Sequence, residues 1–427
     1  MTGMDQRRRG LPRISPLDCA FLNYGHIHGA RQTSAGFLLL MDGEPPGRSE
    51  LIRHVQERVD RYPALSLGFG LDRPRLLRPR WQQIRNVDAS RLVFECRTTP
   101  AVPMLQDLAG RCMGELPTAS DVPLWSLGLL HGTSGEWALL FRCHHAAYDA
   151  AHTQRALRWL LAPDPVAEER GGVTRPAWSP MVRQSIRGLV SMGRGLLRNT
   201  APQVPALRAG AEEPCRITWA HSPLATFRDI ARKHDVTVNT VFLTALTLAL
   251  RRHLEAGGSS VPDAVIATVP MMLPGNTSRL PVGNNIACTR LRLPLRLTDA
   301  HECLRHLHEM STVAKRNGHR EGGRATVRLG HILPARAAGV LLTAAVHPRW
   351  SNLVATNVGM VEGPLACGRA EVRAAVVTTI RPPGGGLTAS VATYKGTVTV
   401  AFTVDRRTDP HLDLPRHYAA ALEELRR

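Results

Sequence analysis

Residues 141–152 read Phe141-Arg142-Cys143-His144-His145-Ala146-Ala147-Tyr148-Asp149-Ala150-Ala151-His152. Their lead-in, Trp137-Ala138-Leu139-Leu140-Phe141, predicts a buried strand, because aromatic and aliphatic residues run without a polar break. Two adjacent histidines stand where that strand ends. Asp149 follows after a three-residue step, and residues 149–157 read as the first turns of a helix. An imidazole in a strand-to-helix turn can keep one nitrogen for a substrate proton while a nearby carboxylate fixes the loop. Three chemistries share these residues. One is a general base supported by Asp149, another a pair of buried histidines that only satisfy core contacts. The third is a metal site from His144 or His145, Asp149 and His152, for which the sequence places no further Glu or His.

Outward from the motif, helix and strand signals alternate. Ser15-Pro16-Leu17-Asp18 opens a turn or helix, with Ser15 as cap and Pro16 at the first helical position. Residues 35–42, 92–97 and 124–130 read as strands, and 48–62 as an amphipathic helix with Leu51, Val55 and Val59 at helical spacing. The texture changes over 163–214, which is rich in Pro, Gly and Arg. Its one helical stretch, 181–198, sets Arg183, Arg187, Arg194 and Arg198 against an apolar arc. Such a helix either crosses between domains or lies on anionic lipid.

Beyond it the mixed pattern returns. Residues 236–254 and 299–315 predict helices, 264–270, 286–294 and 353–357 strands, 387–405 a hairpin, and 411–425 a closing helix. Three units follow: an N-terminal lobe over 1–162 carrying the motif, a basic crossover linker over 163–214, and a C-terminal lobe over 215–427. Two similar α/β lobes would hold a ligand in the cleft between them.

Of 427 residues, 54 are basic and 35 acidic, a net charge of +19, and only Lys233, Lys315 and Lys395 are lysines. Coding bias toward arginine is one source of that excess. Attraction to phosphate-bearing or acidic partners such as coenzyme A, an acyl carrier protein or an anionic membrane is the other. Nucleic acid is not expected, since aromatic residues make up 5% and no zinc-finger spacing occurs. No apolar run approaches the ~20 residues of a spanning helix, and no apolar core follows the N-terminal arginines. A cytoplasmic protein, with peripheral membrane contact as an option, is the expectation. The eight cysteines form no Cys-x-x-Cys pair, which suits reduced core thiols, and strand alternation turns Cys143 away from a nucleophile's position.

The stretch His144-His145-Ala146-Ala147-Tyr148-Asp149-Ala150 resembles the His-His-x-x-x-Asp-Gly motif of the coenzyme A-dependent acyltransferase superfamily, which includes peptide condensation domains. The bacterial wax ester synthase/diacylglycerol acyltransferases are the nearest branch. Their Ser-Pro-Leu-Asp opening is similar to Ser15–Asp18, their Pro-Leu-Trp element to Pro123-Leu124-Trp125, and their Thr-Val-Asn segment to Thr237-Val238-Asn239. Their Gly-Asn turn is similar to Gly283-Asn284, and their Asn-Leu-x-x-Thr-Asn-Val strand to Asn352–Val358. These matches are ordered and run from residue 15 to about 405. Two positions depart from the pattern: Ala150 stands for the motif glycine, and Thr240 for the aspartate after Asn239.

The resemblance implies two chloramphenicol acetyltransferase-like α/β lobes around a central cleft or tunnel. It implies an acyltransferase in which His145 takes a proton from a hydroxyl or amine attacking an acyl thioester. Asp149 would hold the loop by pairing with an arginine, and His144 would be mostly structural. Trp125 would pack the lobe or line the acyl tunnel, Asn239 would cap a turn or meet substrate, and Thr356 and Asn357 would bond near the thioester or close a loop end. No cofactor is implied, with acyl-coenzyme A or an acyl carrier protein as co-substrate. The acceptor is a lipid alcohol or diacylglycerol, or a specialised metabolite. A non-catalytic relative that docks a carrier protein or membrane is the reading of a different class.

Overall fold

Ser15 and Asp18 start the fold with a reciprocal cap. The Asp18 N–H donates to Ser15 Oγ at 3.1 Å, and the Ser15 N–H donates to Asp18 Oδ2 at 2.8 Å. Pro16, which has no N–H to satisfy, fits the first turn, and helix α1 runs Pro16–His28. The computed structural model describes residues 11–29, 33–70, 77–114, 116, 121–164, 187, 190–191, 200–208, 215–273, 280–329, 347, 349–380, 384–405, 408–411 and 413–427. Most of the predicted basic helix over 181–198 therefore lies outside the described residues.

After α1 come β1 (Ser34–Asp42), α2 (Arg48–Arg61), a short ribbon of β2 (Leu67–Gly68) and β3 (Gln82–Gln83), β4 (Val93–Arg97) and α3 (Leu105–Cys112). The strands β5 (Trp125–His131) and β6 (Trp137–His144) lead into α4 (Ala150–Leu161). The second half supplies β7 (Cys215–Pro223), α5 (Leu224–Lys233), α6 (Val238–Ala256), β8 (Val265–Met272), β9 (Ile286–Leu293), α7 (Ala300–Arg316) and α8 (His319–Leu329). It closes with β10 (Leu353–Met360), β11 (Ala366–Cys367), β12 (Ala370–Thr378), the hairpin β13 (Leu387–Tyr394) and β14 (Thr397–Asp405), and α9 (Leu414–Arg426).

Among the described residues, these strands form two six-stranded sheets, β11-β12-β1-β6-β5-β4 and β7-β14-β13-β10-β8-β9. The expected α/β architecture of two lobes is present. Its sheets do not follow the expected boundary at residue 215, however. β12 leaves the second half of the chain and pairs antiparallel with β1, placing Thr378 opposite Gly36. The physical reason is that β1 is buried on both faces and needs a partner on each edge, β6 on one side and β12 on the other.

The lobes share a core. Leu38 and Leu40 of β1 pack in one cluster with Ile217 of β7, Val376 of β12 and Ala401 of β14. Beside it, Arg216 on β7 reaches back to Asp107 on α3 at 2.6 Å, a pair almost shielded from solvent. The other face of β1, with Phe37 and Leu39, packs with Leu157 and Leu160 of α4. Helix α6 is apolar nearly all round because it is enclosed, with Phe242, Leu246 and Leu250 in the core of the second lobe. Its cap is Thr237, whose Oγ1 accepts the Thr240 N–H at 3.1 Å; Asn239 sits inside the first turn.

Candidate active site

β6 ends at His144, and the loop His145–Asp149 turns the chain into α4. Three backbone bonds anchor that loop. The His145 N–H donates to Thr33 O at 2.8 Å, the Asp149 N–H to Gly283 O at 3.2 Å, and the Gly283 N–H to Ala147 O at 2.6 Å. The last two stitch the motif to a turn 134 residues further along the chain. Asp149 then caps α4, accepting the His152 N–H at 3.0 Å.

The two histidines are held differently. His144 is buried, its Nδ1 accepting the Ala146 N–H at 3.1 Å. That ring proton is therefore on Nε2, which donates to Thr33 Oγ1 at 3.2 Å. Burial, with the neighbouring His145, pushes the His144 pKa down to about 3, so it is a neutral structural group at ordinary pH. The His145 ring stacks on Phe21 of α1, centroids 4.2 Å apart and planes 14° from parallel. Its Nδ1 lies 3.1 Å from Asn284 Oδ1, and no described residue bonds to its Nε2. Burial also lowers the His145 pKa, against the opposing pull of its own carbonyl, Asp149 and Asn284. An unprotonated imidazole at neutral pH is what a general base requires.

Asn284 is tied down as firmly as the histidine it faces. Its side-chain Nδ2 donates to Asp18 Oδ1 at 3.0 Å and to the His145 carbonyl at 2.6 Å, and its backbone N–H donates to Asp18 Oδ1 at 2.8 Å. Asp18 thus serves α1 with one oxygen and the site with the other. Burial pushes its pKa up to about 6, against the bonds from Asn284 and Ser15.

Among the described residues no arginine meets the Asp149 carboxylate, contrary to the expectation. Oδ1 takes both the His152 N–H and His152 Nδ1, the latter at 2.7 Å, and Oδ2 takes the Asn285 N–H at 2.9 Å. Burial works against its charge, yet these partners hold the carboxyl below its ordinary pKa. A helix-capping position leaves no room for a guanidinium, because the first turn of α4 already fills it. His152 is accordingly buried and occupied, not a solvated helix residue.

A cavity of about 70 Å³ that opens to solvent lies between the lobes. His145, Asp149 and Ala150 form one wall, with Gly36 of β1 and Thr378 of β12 beside them; Pro270, Ile286, Thr356 and Val358 of the second sheet face them. Thr356 is therefore at the site. Asn357 is not among the lining residues. It is exposed and donates from Nδ2 to Asn239 Oδ1 at 3.2 Å, pairing the two asparagines away from the cavity. Trp125 is fully buried, with its indole N–H on Leu65 O at 2.8 Å and its ring stacked on Phe141. It packs the first lobe and does not line the cavity, because β5 turns that side chain into the helix-covered face. Ala150 begins α4 in ordinary helical geometry, so its methyl is accommodated without a glycine conformation. Cys143 is buried and its thiol is pushed up to about 12, which leaves no reactive thiolate.

Gly283 is the one turn residue whose lack of a side chain the site needs. Its φ is +106°, and a Cβ there would stand 3.3 Å from Asp18 Oδ2. Gly283→Ala should lose about 1–3 kcal/mol of unfolding free energy in urea. Wild-type stability in that variant would show that the turn relaxes freely.

Asp18 and His144 pull stability in opposite directions with pH. Asp18 titrates near 6 folded against 3.8 for the free group, so it adds stability as pH falls from 6 toward 3.8. His144 titrates near 3 folded against 6.5, so it removes stability as pH falls below 6.5. Asp18→Asn deletes the compensating part. Its thermal midpoint should fall more steeply than wild type between about pH 6.5 and 4.5; parallel curves would refute the opposition.

Residues 282–426, which include Gly283, Asn284, Asn285 and Thr356, match the WS/DGAT C-terminal domain family. A probable diacylglycerol O-acyltransferase of Mycobacterium tuberculosis is 24% identical over 388 residues, covering 82% of each chain. The chain is an acyltransferase, similar over its C-terminal third to the WS/DGAT family. A second M. tuberculosis relative, a putative diacylglycerol O-acyltransferase, is 24% identical over 357 residues, 74% of this chain and 78% of its own. Solved structures show the same fold as the WS/DGAT-like chain. The wax ester synthase/diacylglycerol acyltransferase from Marinobacter aquaeolei VT8 superposes with a TM-score of 0.64 at 20% identity, covering 97% of this chain and 98% of that one. The first condensation domain of the CDA synthetase gives 0.61 at 15% identity, covering 97% and 95%.

His145, Asp149 and Thr356 line the cavity, and His152, a metal candidate in the sequence, instead bonds Asp149. Phe21, Thr33 and Asn285 carry no sequence signal of their own. Asp18 and Asn284 each stood inside a quoted motif, but nothing in either motif says that they touch. Among the described residues, no helix is long and apolar enough to cross a membrane.

Proposed function

We propose that this acyltransferase moves an acyl group from a thioester to a hydroxyl or amine, with His145 as general base. The observation that supports it most is the placing of His145: Nδ1 engaged by Asn284, Nε2 without a partner among the described residues, and the ring on the wall of an interlobe cavity. As the acceptor oxygen or nitrogen attacks the thioester carbonyl, Nε2 takes its proton. The tetrahedral oxyanion collapses, the C–S bond breaks, and the imidazolium returns the proton to the departing thiolate. Ester or amide and free thiol result, with no acyl-enzyme. Thr356 offers a hydroxyl on the cavity wall where the oxyanion would form.

The rest of the lining accords with an apolar acyl chain, since Phe37, Pro270, Ile286, Val358 and Val377 present carbon to the space. The names of the mycobacterial relatives favour diacylglycerol as acceptor; a starter condensation domain of the same fold, solved in complex with C8-CoA, favours coenzyme A as carrier. A lipid alcohol or a hydroxyl of a specialised metabolite would use the same base. The test is thiol release from acyl-coenzyme A and acyl carrier protein thioesters, each offered with diacylglycerol, a long-chain alcohol or a small polar alcohol. Acceptor-dependent thiol release that disappears in His145→Ala is the expected result. Thioester consumption by neither form would move the balance to a docking protein.

A further inference from the structure

We propose that Asn284, oriented by Asp18, is a positioning residue that fixes His145 as its Nδ1–H tautomer and so leaves Nε2 as the proton-accepting nitrogen. The inference rests on the reading of His145 as the base, and its spectroscopic test is independent of turnover.

The argument is one of donors and acceptors. A neutral imidazole carries one N–H and one bare nitrogen, and which is which is set by the partner of each. Asn284 has two amide hydrogens and one amide oxygen. Both hydrogens are committed, one to Asp18 Oδ1 at 3.0 Å and one to the His145 carbonyl at 2.6 Å. The oxygen left facing His145 Nδ1 at 3.1 Å can only accept, so Nδ1 must carry the proton. Turning the amide over would set its oxygen against the Asp18 carboxylate and the His145 carbonyl, two pairs of acceptors with no hydrogen between them. Asp18 and the His145 carbonyl together fix the orientation of Asn284, and Asn284 chooses the tautomer.

The rest of the surroundings supports this assignment. The Asn284 N–H donates to the same Asp18 oxygen at 2.8 Å, which locks the backbone beneath the amide. Asp18 is anchored from its other side by the Ser15 N–H at 2.8 Å. Phe21 stacks on a face of the imidazole and holds the plane of the ring. The neighbouring His144 carries its proton on the opposite nitrogen, because its Nδ1 accepts from the Ala146 N–H. The paired histidines are thus distinguished by their partners alone.

The test reads the tautomer directly. Full-length protein labelled with ¹⁵N in histidine is compared by two-bond proton–nitrogen correlation, the His145 signals being those absent from His145→Ala. Wild type should show a protonated Nδ1 and a bare Nε2. Asn284→Ala should shift the population toward Nε2–H and lower kcat by tenfold or more, with KM for the thioester changed less than twofold. Asp18→Asn removes one of the two acceptors that hold the Asn284 amide and should move the tautomer in the same direction by a smaller amount, while its own oxygen still receives the Ser15 N–H. Asn284→Gln, which keeps the amide oxygen and both hydrogens, should retain more of the Nδ1–H form than Asn284→Ala. If Asn284→Ala does not fold, Asp18→Asn decides by the same spectra. A Nδ1–H tautomer that persists undiminished in the single variants overturns the proposal. Turnover that survives in His145→Ala would instead overturn the general base and leave the spectra to judge the tautomer.

Discussion

His145→Ala should lower kcat/KM for acyl transfer by about 10²–10⁴-fold, the range that a positioned base contributes. The fold should survive the change. His145 is only half-buried, its backbone N–H still reaches Thr33 O, and the Phe21 ring loses a stacking partner but no hydrogen bond. The thermal midpoint should therefore stay within a few degrees of wild type, and steady-state kinetics on correctly folded protein would check the loss. Activity within threefold of wild type would remove His145 from the chemistry. The depressed pKa of His145 adds a further expectation. The acid limb of kcat/KM should lie below the ordinary histidine value of about 6.5, because protonation there disables the base.

Asp149→Ala is the second large effect, and it acts on stability first. The carboxylate is buried and receives three donors: the His152 N–H, the His152 ring and the Asn285 N–H. Removing it uncaps α4, leaves the buried His152 ring without its acceptor, and cuts one of the ties between the motif loop and the second lobe. Leaving a buried donor without its acceptor costs about 1–3 kcal/mol for each unsatisfied group. Urea unfolding should show a loss of that order, and turnover should fall with it because Asn285 adjoins Asn284. Asp149→Asn, which keeps one acceptor oxygen, should lose less. A variant Asp149→Ala with wild-type unfolding free energy would contradict the capping role.

Much of the frame was legible in the residues. Ser15-Pro16-Leu17-Asp18 announced its capping box, since the hydroxyl, the fixed proline φ and the carboxylate act within one turn. The apolar run before His144 announced a strand, and Asp149 announced a helix start. These are local facts, written within a few positions. What escaped was long-range. Asp18 and Asn284 lie 266 positions apart, and only the closed fold shows that they share a hydrogen bond. An arginine partner for Asp149 is implied by the resemblance alone, whereas the buried cap is satisfied by its own helix and by Asn285. Packing and tunnel lining are both open for Trp125 in the sequence, and its buried indole, with the N–H on a backbone carbonyl 60 positions earlier, makes it a packing residue.

The pairing of β12 with β1 also bears on how the chain is made. Gly36 leaves the ribosome long before Thr378, yet the two are neighbours in the finished sheet. Until residues 370–378 appear, one edge of β1 has no strand to bond, and its apolar residues lie beside an open ladder. Closure must wait for a contact across more than 300 positions, which slows assembly and lengthens the time that edge is exposed. The first half is thus not a domain that finishes before the second begins. The wall of the cavity that carries Gly36 and Thr378 comes into being only when nearly the whole chain has been synthesised.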